Sequence, residues 1–201
     1  SICSPSRAAL TSGQWPQHNG VMGLCSYPYN WDFNNPRKHL SHICRNSGYQ
    51  TILFGTHHDM LHNENMAFDL INPDPIPENK ESRFAIRTAK TFAQFIKKKS
   101  YHKNSPFYAQ IGFFETHTPF THGNVLPDTS KGIWLPPYIE KKDGKYMFKS
   151  HSGQKVDPFN RDSLENYISM LQGSIKCVDE AVGIILNALY ENELDKNTII
   201  I

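Results

Sequence analysis

Apolar positions along the 201-residue chain follow two different spacings, and together they predict an alternation of strands and helices. Residues 51–54 and 107–114 are short apolar runs bounded by glycine or polar residues, which is typical of buried strands. Between these runs, apolar positions recur every three or four residues and predict a helix with one buried face: Phe84, Ala85, Thr88, Ala89, Phe92, Phe95 and Ile96. Lysines at positions 97–99 favour the end of this helix, because cations complement the helix dipole there.

Start and stop signals predict three further helices. Ser4 and Pro5 are typical of a helix start and Gly13 of a helix end, so a short helix is expected directly after Cys3. Residues 36–47 repeat this pattern before Gly48, with an apolar face formed by Leu40, Ile43 and Cys44. A long helix beginning near residue 162 is predicted from apolar residues three or four positions apart: Leu164, Ile168, Leu171, Ile175, Val178, Val182, Ile185 and Leu189.

The segments between these elements complete the predicted fold. Residues 72–78 contain three prolines and predict an irregular connection, residues 118–160 predict a long loop-rich excursion, and residues 198–201 predict a last strand. Strands that alternate with helices favour an α/β fold with a mainly parallel central sheet flanked by helices. Since sites in such sheets form at the carboxyl ends of strands, one edge is expected to collect four side chains: Cys3, His57, His58 and His117.

Composition narrows the class of protein. Hydrophobic residues make up 38% of the chain and aromatic residues 12%, which is enough for a folded core. The 21 Lys and Arg against 19 Asp and Glu give a net charge of +2 without blocks of one sign, which argues against nucleic-acid or membrane-surface binding. No apolar run is long enough to span a bilayer. Because the chain starts without Met and stops within an apolar run, we interpret both ends as cut and the chain as a fragment.

The cysteines at positions 3, 25, 44 and 177 lack the spacing of a zinc site or of a disulfide-rich miniprotein. Their even number would allow two disulfides, for instance between Cys25 and Cys44, so the redox compartment stays open. Cys3 differs from the others because it precedes a predicted helix start. Backbone N–H groups and the helix dipole there stabilise an anion, which would be the thiolate itself or a bound sulfate or phosphate.

Residues 3–13, CSPSRAALTSG, resemble the Cys-x-Pro-Ser-Arg signature of the formylglycine-dependent sulfatases, which belong to the alkaline phosphatase-like superfamily. In that family the cysteine is oxidised to formylglycine, and the hydrated aldehyde is the catalytic nucleophile. The resemblance therefore implies formylglycine made from Cys3, a formylglycine-generating enzyme as a maturation partner, and calcium as a cofactor. It also implies that Cys3, as formylglycine, is a ligand of the calcium ion, with the remaining ligands outside the fragment.

Two further stretches resemble the same family. Residues 48–58, GYQTILFGTHH, resemble its strand followed by Gly-Lys-x-His, which assigns His58 to the histidine that contacts the hydrate. Thr56 stands where the family usually has a lysine that helps hold the aldehyde and the sulfate. Residues 113–119, FFETHTP, resemble the strand end that carries Pro-His-x-Pro, without its first proline. This likeness assigns His117 to the histidine that faces the sulfate and the leaving group.

The resemblance covers nearly all of the chain and implies how the chain is organised. Residues 167–201 resemble the helix and strand that lead into the metal loop of the family, and residues 135–138 resemble a segment of the branch that contains the sulfamidases. Residues 1–201 are therefore expected to be the central part of a single catalytic domain with an alkaline phosphatase-like fold, incomplete at both ends. A fragment that lacks the metal-binding carboxylates is expected to be inactive by itself.

The implied function is hydrolysis of a sulfate ester or an N-sulfate on a sugar or glycan. By resemblance, the hydrate attacks sulfur, Arg7 hydrogen-bonds the hydrate, His58 takes its proton, and His117 binds sulfate or protonates the leaving oxygen. A covalent sulfate would form, and the second hydroxyl would expel it. Two alternatives stay open: a phosphonate or phosphate ester hydrolase of the same superfamily, and a glycan-binding protein without activity, which Thr56 in place of lysine would explain.

Other residues have simpler interpretations. His58 and His62 have the spacing of a zinc pair, but Asp59 stands where the glutamate of a His-Glu-x-x-His motif would be. Trp15 and Pro16 are expected to pack behind the first helix, and Trp134 and Tyr138 would either stack on a sugar or form a small hydrophobic cluster. Structural roles are expected for the remaining histidines: His18, His39, His42, His102, His122 and His151. Members of the family mature in exported pathways, which is compatible with a periplasmic, extracellular or lysosomal location, and the compartment stays open.

Overall fold

A three-stranded sheet forms the centre of the computed structural model, which describes residues 2–99, 101, 105–117, 120, 124–130, 132, 139–143, 145–148 and 161–201. Strand β1 spans Gln50–Gly55, β2 spans Leu70–Ile71 and β3 spans Phe107–Gly112. The strand order is β2-β1-β3, and both pairs are parallel. The predicted α/β class with a parallel sheet flanked by helices is therefore confirmed.

One face of β1 carries the main hydrophobic core. Ile52 and Phe54 are fully buried, and the Phe54 ring packs edge-on against Phe92 and Phe95, with centroids 5.4 and 5.5 Å apart. These two rings belong to helix α4 (Phe84–Lys97), whose apolar spacing predicted this face. Helix α5 (Arg161–Glu191) packs along α4 and adds Ala188 and Leu189 to the same cluster.

Helix α1 (Cys3–Ser12) begins earlier than its sequence signals predicted. Cys3 is the first helical residue rather than the residue before the helix, and Ile2 is the N-cap. Ser4 does not cap the helix, because it is buried and its Oγ accepts a hydrogen bond from the N–H of Cys25 at 3.2 Å. Gly13 ends the helix as predicted, with φ of 64° and its N–H donated to the carbonyl of Ala9. A short helix, α2 (Pro16–Asn19), follows it.

The helix predicted over residues 36–47 is divided into two pieces. A 3₁₀ turn at Pro36–Lys38 is followed by α3 (Leu40–Asn46), and the break lies at His39, whose ring accepts the N–H of Ser41 at 3.1 Å. The predicted apolar face is wrong in part, because Ile43 is 48% exposed whereas His39 and Ser41 are fully buried. Polar residues, held by hydrogen bonds, thus form the inner side of this segment.

Near the C-terminal end, the predicted long helix is confirmed and the predicted last strand is wrong. Helix α5 forms as predicted, but Ile175 and Val182 on the predicted face are 53% and 39% exposed, and the buried residues include Cys177 and Ala181. Small side chains are favoured there because α5 lies close against α4, where Ala85 and Ala89 join the same cluster. Residues 198–201 pair with no strand among the described residues, so the predicted last strand is not formed.

The excursion predicted over residues 118–160 contains an antiparallel hairpin, formed by β4 (Ile139–Lys142) and β5 (Lys145–Phe148). Trp134, Tyr138 and the 135–138 segment lie outside the described residues, as do His102, His122 and His151.

All four cysteines are free, so the Cys25–Cys44 disulfide considered above is not formed. Trp15 is 71% exposed and does not pack behind the first helix as expected. Within the described part of the chain, no helix is long and apolar enough to cross a membrane.

Candidate active site

The carboxyl ends of β1 and β3 lead into one cavity of about 270 Å³. Parallel pairing in register, from Gln50 opposite Phe107 to Gly55 opposite Gly112, makes the loops after both strands leave the same edge of the sheet. The first turn of α1 reaches this edge as well. Nine of the described residues line the cavity, and they include all four predicted site residues: Cys3, Arg7, Thr56, His58, Phe113, Phe114, Glu115, Thr116 and His117.

Cys3 and His58 face each other in this cavity. The Sγ of Cys3 lies 4.0 Å from Nδ1 of His58, a long contact for a hydrogen bond to sulfur. His58 has a φ of 60°, in the left-handed region that residues other than glycine rarely adopt. Partial burial lowers the pKa of His58, and the positive charge of Arg7 lowers it further. The imidazole is therefore neutral at pH 7 and able to accept a proton from a group at position 3.

Arg7 lies one helical turn after Cys3 and lines the same cavity. Among the residues that the structure describes, no side chain or carbonyl accepts a hydrogen bond from its guanidinium. A guanidinium presents five N–H donors in a planar fork that fits a carboxylate, phosphate or sulfate. Arg7 therefore gives the cavity a positive charge whose donors are available to an anion.

Glu115 is a cavity residue that sequence analysis did not single out. Its side chain is 6% exposed, and Oε2 accepts the backbone N–H of Ala85 at 2.7 Å, so it caps the start of α4 from a different segment. The other carboxylate oxygen, Oε1, is buried and has no hydrogen-bond partner among the described residues. His117 follows two residues later, with its ring stacked on Phe114 at a centroid distance of 5.5 Å. A carboxylate directly after a strand that ends at a site was the available signal for Glu115.

Asp59 is the centre of a buried polar cluster beside the cavity, which we call the Asp59 cluster: Asp59, Thr11, His39, His57 and Gln110. Oδ2 of Asp59 accepts hydrogen bonds from Thr11 Oγ1 at 3.2 Å, His39 Nε2 at 3.2 Å and Gln110 Nε2 at 3.4 Å. Oδ1 accepts from Nδ1 of His57 at 3.1 Å. Burial by itself would raise the pKa of Asp59, but the hydrogen bonds from both histidines outweigh it and hold the pKa well below the usual range.

The Asp59 cluster connects the elements that carry the cavity residues. Thr11 belongs to α1, Gln110 to β3, and His57 and Asp59 to the loop after β1, on either side of His58. The Nδ1 of His39 accepts the N–H of Ser41, so its Nε2 carries the proton that is donated to Asp59. The cluster thus fixes the loop that presents His58 relative to the helix that begins at Cys3.

A family model named Sulfatase matches residues 1–201, the whole chain. The chain belongs to the sulfatase family. A curated Delta 4,5-hexuronate-2-O-sulfatase of Bacteroides thetaiotaomicron is 27% identical over 221 residues, which are 100% of this chain and 45% of the relative. The chain therefore spans less than half the length of this curated relative.

Solved structures share the fold of this chain. A 2-O GAG sulfatase matches 98% of this chain and 46% of its own chain with a TM-score of 0.62 and 22% identity. The phosphonate monoester hydrolase of Agrobacterium radiobacter matches 98% of this chain and 52% of its own chain, with a TM-score of 0.56 and 18% identity. At these identities the likeness concerns the fold, which sulfatases and a phosphonate hydrolase have in common.

The described residues of this sulfatase-family chain do not make a calcium site by themselves. They contain no group of three or more His, Cys, Asp or Glu side chains that could hold a metal ion. Calcium prefers six to eight oxygen ligands, and the orphan Oε1 of Glu115 is a single carboxylate oxygen at the cavity. The zinc pair considered for His58 and His62 is not formed either, since His62 is bonded instead to Glu64 at 3.1 Å.

Thr56, which the sequence resemblance places at a lysine position of the family, lies in the wall of the cavity. Its N–H donates to the carbonyl of Gly112 at 3.0 Å, and a Cβ at Gly112 would collide with the carbonyl oxygen of Thr56. Glycine at 112 therefore allows the two strand ends to approach closely. Arg7 is the one lysine or arginine among the described residues that line this cavity.

Proposed function

We propose that this chain is part of a sulfatase that releases sulfate from a sugar or glycan, with formylglycine made from Cys3 as the nucleophile. The observation that carries the proposal is the contact between Cys3, the first residue of α1, and His58, in one cavity with Arg7 and His117. The curated relative acts on a hexuronate 2-O-sulfate by its name, which supports an acidic sugar as the substrate. Sulfate esters and N-sulfates share the sulfuryl group that this site would hold.

Each cavity residue has a proposed part in the reaction. When present, the hydrated aldehyde at position 3 supplies a hydroxyl nucleophile with a second hydroxyl on the same carbon. His58, neutral because its pKa is lowered, accepts the proton of the attacking hydroxyl. Arg7 holds the sulfate oxygens with its guanidinium and offsets their negative charge. His117 gives a proton to the oxygen or nitrogen that leaves with the sugar.

Two partners belong to this proposal. A formylglycine-generating enzyme would convert Cys3, which is partly accessible at the start of α1. Calcium would be held by Cys3 in its formylglycine form together with carboxylates that the described residues do not provide. Conversion of Cys3 and binding of calcium are therefore separate requirements for activity, and each can be measured by itself.

A second candidate function is hydrolysis of a phosphonate or phosphate ester at the same site. The fold shared with a phosphonate monoester hydrolase, over 98% of this chain, favours this alternative. Arg7 would hold the oxygens of a phosphoryl group as well as those of a sulfuryl group, because both are tetrahedral anions. Turnover of matched aryl esters separates the two functions.

The decisive experiment uses the full-length protein, expressed with a formylglycine-generating enzyme. Peptide mass spectrometry is expected to show an aldehyde at position 3 that reacts with a hydrazide, and an aryl sulfate is expected to be turned over faster than the aryl phosphonate. An unmodified thiol after co-expression would contradict the proposed nucleophile. Faster turnover of the phosphonate would support the second candidate. Binding of a sulfated glycan without any turnover by the converted protein would indicate a binding protein.

A further inference from the structure

A second cavity of about 470 Å³ adjoins the cavity of Cys3. Thr56 and Phe114 line both cavities, so the two are neighbours at the carboxyl edge of the sheet. The second cavity lies between the ends of β1 and β3 and the first turns of α4, from which Phe84, Arg87 and Thr88 line it. Its wall combines aromatic rings with threonine hydroxyls, a lining that suits the apolar face and the hydroxyl groups of a sugar.

Arg87 is a cation in the wall of this second cavity, and no residue in the described part of the chain accepts a hydrogen bond from its guanidinium. Its side chain is 19% exposed, and its guanidinium lies 4.7 Å from the centroid of the Phe84 ring. The one ion pair it makes with a described residue joins Nη1 to Oε2 of Glu78 at 3.7 Å, which is longer than a hydrogen bond. Glu78 is 75% exposed, so solvent weakens this pair. A largely buried guanidinium in a cavity wall without an acceptor is a site for an anion.

Each of the two cavities has an arginine in its wall, and Thr56 lies in the wall of both. Among the described residues, Arg7 is the one lysine or arginine that lines the first cavity, and Arg87 is the one that lines the second. Thr56 between them is short and uncharged, whereas a lysine there would place a third cation where the cavities meet. A sugar with two negative groups would therefore meet one arginine with each group.

We propose that the second cavity binds a second anionic group of the substrate, a carboxylate or a further sulfate, through Arg87, while the sulfate to be released lies beside Cys3 and Arg7. This inference rests on the proposed function, and it adds that the substrate is at least doubly anionic. The anion replaces the weak pair with Glu78 by two parallel N–H···O bonds from the Arg87 fork. Arg87 then selects substrates by charge and takes no part in the reaction at sulfur.

The test uses three sugars that differ at one carbon, with the full-length, converted enzyme. The first is a 2-O-sulfated hexuronic acid, the second is the matching hexose with a neutral hydroxymethyl group at C6, and the third carries a sulfate at C6. Arg87→Gln is expected to lower kcat/KM for the first and third sugars by roughly ten- to a hundredfold, mainly through KM. For the neutral sugar the change is expected to stay within about twofold. Arg87→Lys, which keeps the charge without the fork, should recover part of the loss.

Lys97→Gln is the matched control, since it removes one positive charge from the exposed end of the same helix. Ten residues separate the two positions, which is about 15 Å along the helix. This control is expected to leave all three sugars unaffected. If Arg87→Gln lowers kcat/KM equally for the neutral and anionic sugars, Arg87 has a structural role and the inference is wrong. Equal rates in Arg87→Gln and the unchanged enzyme would overturn it as well.

Binding measurements separate this inference from the proposed function. In the Cys3→Ala background, calorimetry with the same three sugars is expected to show tighter binding of the two anionic sugars, and Arg87→Gln should abolish that preference. If the preference is found but no converted protein releases sulfate, the proposed function fails and the second anion site stands. If sulfate is released but binding is indifferent to the group at C6, the proposed function stands and the second anion site fails.

Discussion

The Asp59 cluster and the Cys3 cavity lie side by side at one edge of the sheet, and their polar groups are arranged in opposite ways. In the cluster, Asp59 is fully buried and accepts four hydrogen bonds of 3.1 to 3.4 Å. In the cavity, the contact from Cys3 to His58 is 4.0 Å, and one oxygen of Glu115 has no partner among the described residues. The cluster is therefore complete as it stands, whereas the cavity has polar groups available for a ligand.

This difference has a physical consequence for mutations. A buried charge is tolerated only when it is hydrogen-bonded, so the stability of the fold depends on the complete set of partners around Asp59. Groups without partners contribute little to stability, and they are retained where they act on something else. Changes in the cluster should therefore lower the free energy of unfolding, and changes in the cavity should lower activity at nearly constant stability.

The largest effect is expected for Cys3→Ala in the full-length protein, compared with the converted enzyme. Removal of the nucleophile should lower kcat by at least about 10⁴-fold, since a residue that forms the covalent bond has no substitute. Among the described residues, the Sγ of Cys3 makes only the long hydrogen-bond contact to His58, so the free energy of unfolding should change by less than about 0.5 kcal/mol. Sulfate release and urea unfolding measure the two quantities. Activity that survives the change would show that Cys3 is not the nucleophile.

The next effect is the loss of stability in Asp59→Ala. This change leaves the buried Nε2–H of His39 without its acceptor and removes one acceptor each from Thr11 and His57, so it should lower the free energy of unfolding by about 3 kcal/mol. Urea unfolding of the full-length protein provides the measurement. Asp179→Ala, at an exposed position of α5, is the matched control and should stay within about 0.5 kcal/mol. Equal effects of the two changes would show that the cluster does not support the fold.

The strands and the long helices could be predicted from the sequence because each follows from a local pattern. Apolar runs set β1 and β3, and spacing of three or four residues set α4 and α5. The meeting of Cys3, His58 and His117 in one cavity was also predictable, since parallel strands end at the same edge. His57, expected at this edge as well, does not line the cavity and is bonded to Asp59 instead. A resemblance over short motifs located these residues before any contact was known.

The Asp59 cluster could not be predicted, because polar residues carry no periodic signal when they are buried. His39 divides a segment that reads as one helix, and its burial depends on Asp59, which lies 20 residues further along the chain. Apolar spacing likewise shows which residues are able to pack, and not what packs against them, which is why Ile43 and Ile175 are exposed. For residues 198–201 the pattern predicts a strand, but a strand requires a neighbour.

The free energy of unfolding should depend on pH through the buried carboxylate of Asp59. The pKa of Asp59 is lowered in the folded protein, so its ionised form stabilises the fold above the unfolded pKa of about 3.9, and this contribution is lost as the pH falls towards the folded pKa. The difference in unfolding free energy between the unchanged protein and Asp59→Asn should therefore be constant above about pH 5 and shrink below about pH 4. His39 and His57 are the titratable side chains that face Asp59 among the described residues, and both are retained in Asp59→Asn. A difference that grows on acidification would contradict an ionised Asp59.

Removal of the Thr11 hydroxyl, which joins α1 to Asp59, should have a smaller effect on the free energy of unfolding. Thr11→Val keeps the shape of the side chain but removes the donor to Asp59, and it should cost about 1 kcal/mol. Thr11→Ser keeps the donor and should cost less. In the Asp59→Ala background the acceptor is gone, so Thr11→Val should lose most of its effect, and urea unfolding of the four proteins completes a double-mutant cycle. Additive effects would indicate that the hydroxyl acts through the carbonyl of Arg7 instead.

The two carboxylate oxygens of Glu115 lie in the two kinds of environment, one hydrogen-bonded and one without a described partner. Of the changes considered, Glu115→Gln should have the smallest effect on the free energy of unfolding. Its Oε2 caps α4 through the N–H of Ala85, while Oε1 lies in the cavity wall without a described partner. Glu115→Ala loses the cap and should cost about 1 kcal/mol. Glu115→Gln keeps an acceptor for the cap, so its unfolding free energy should fall by less than about 0.5 kcal/mol, while the negative charge at the cavity is lost. If Oε1 interacts with the ligand, Glu115→Gln must lower kcat/KM while the free energy of unfolding stays nearly unchanged. If neither kcat/KM nor the free energy of unfolding changes, Oε1 contributes to neither ligand binding nor stability.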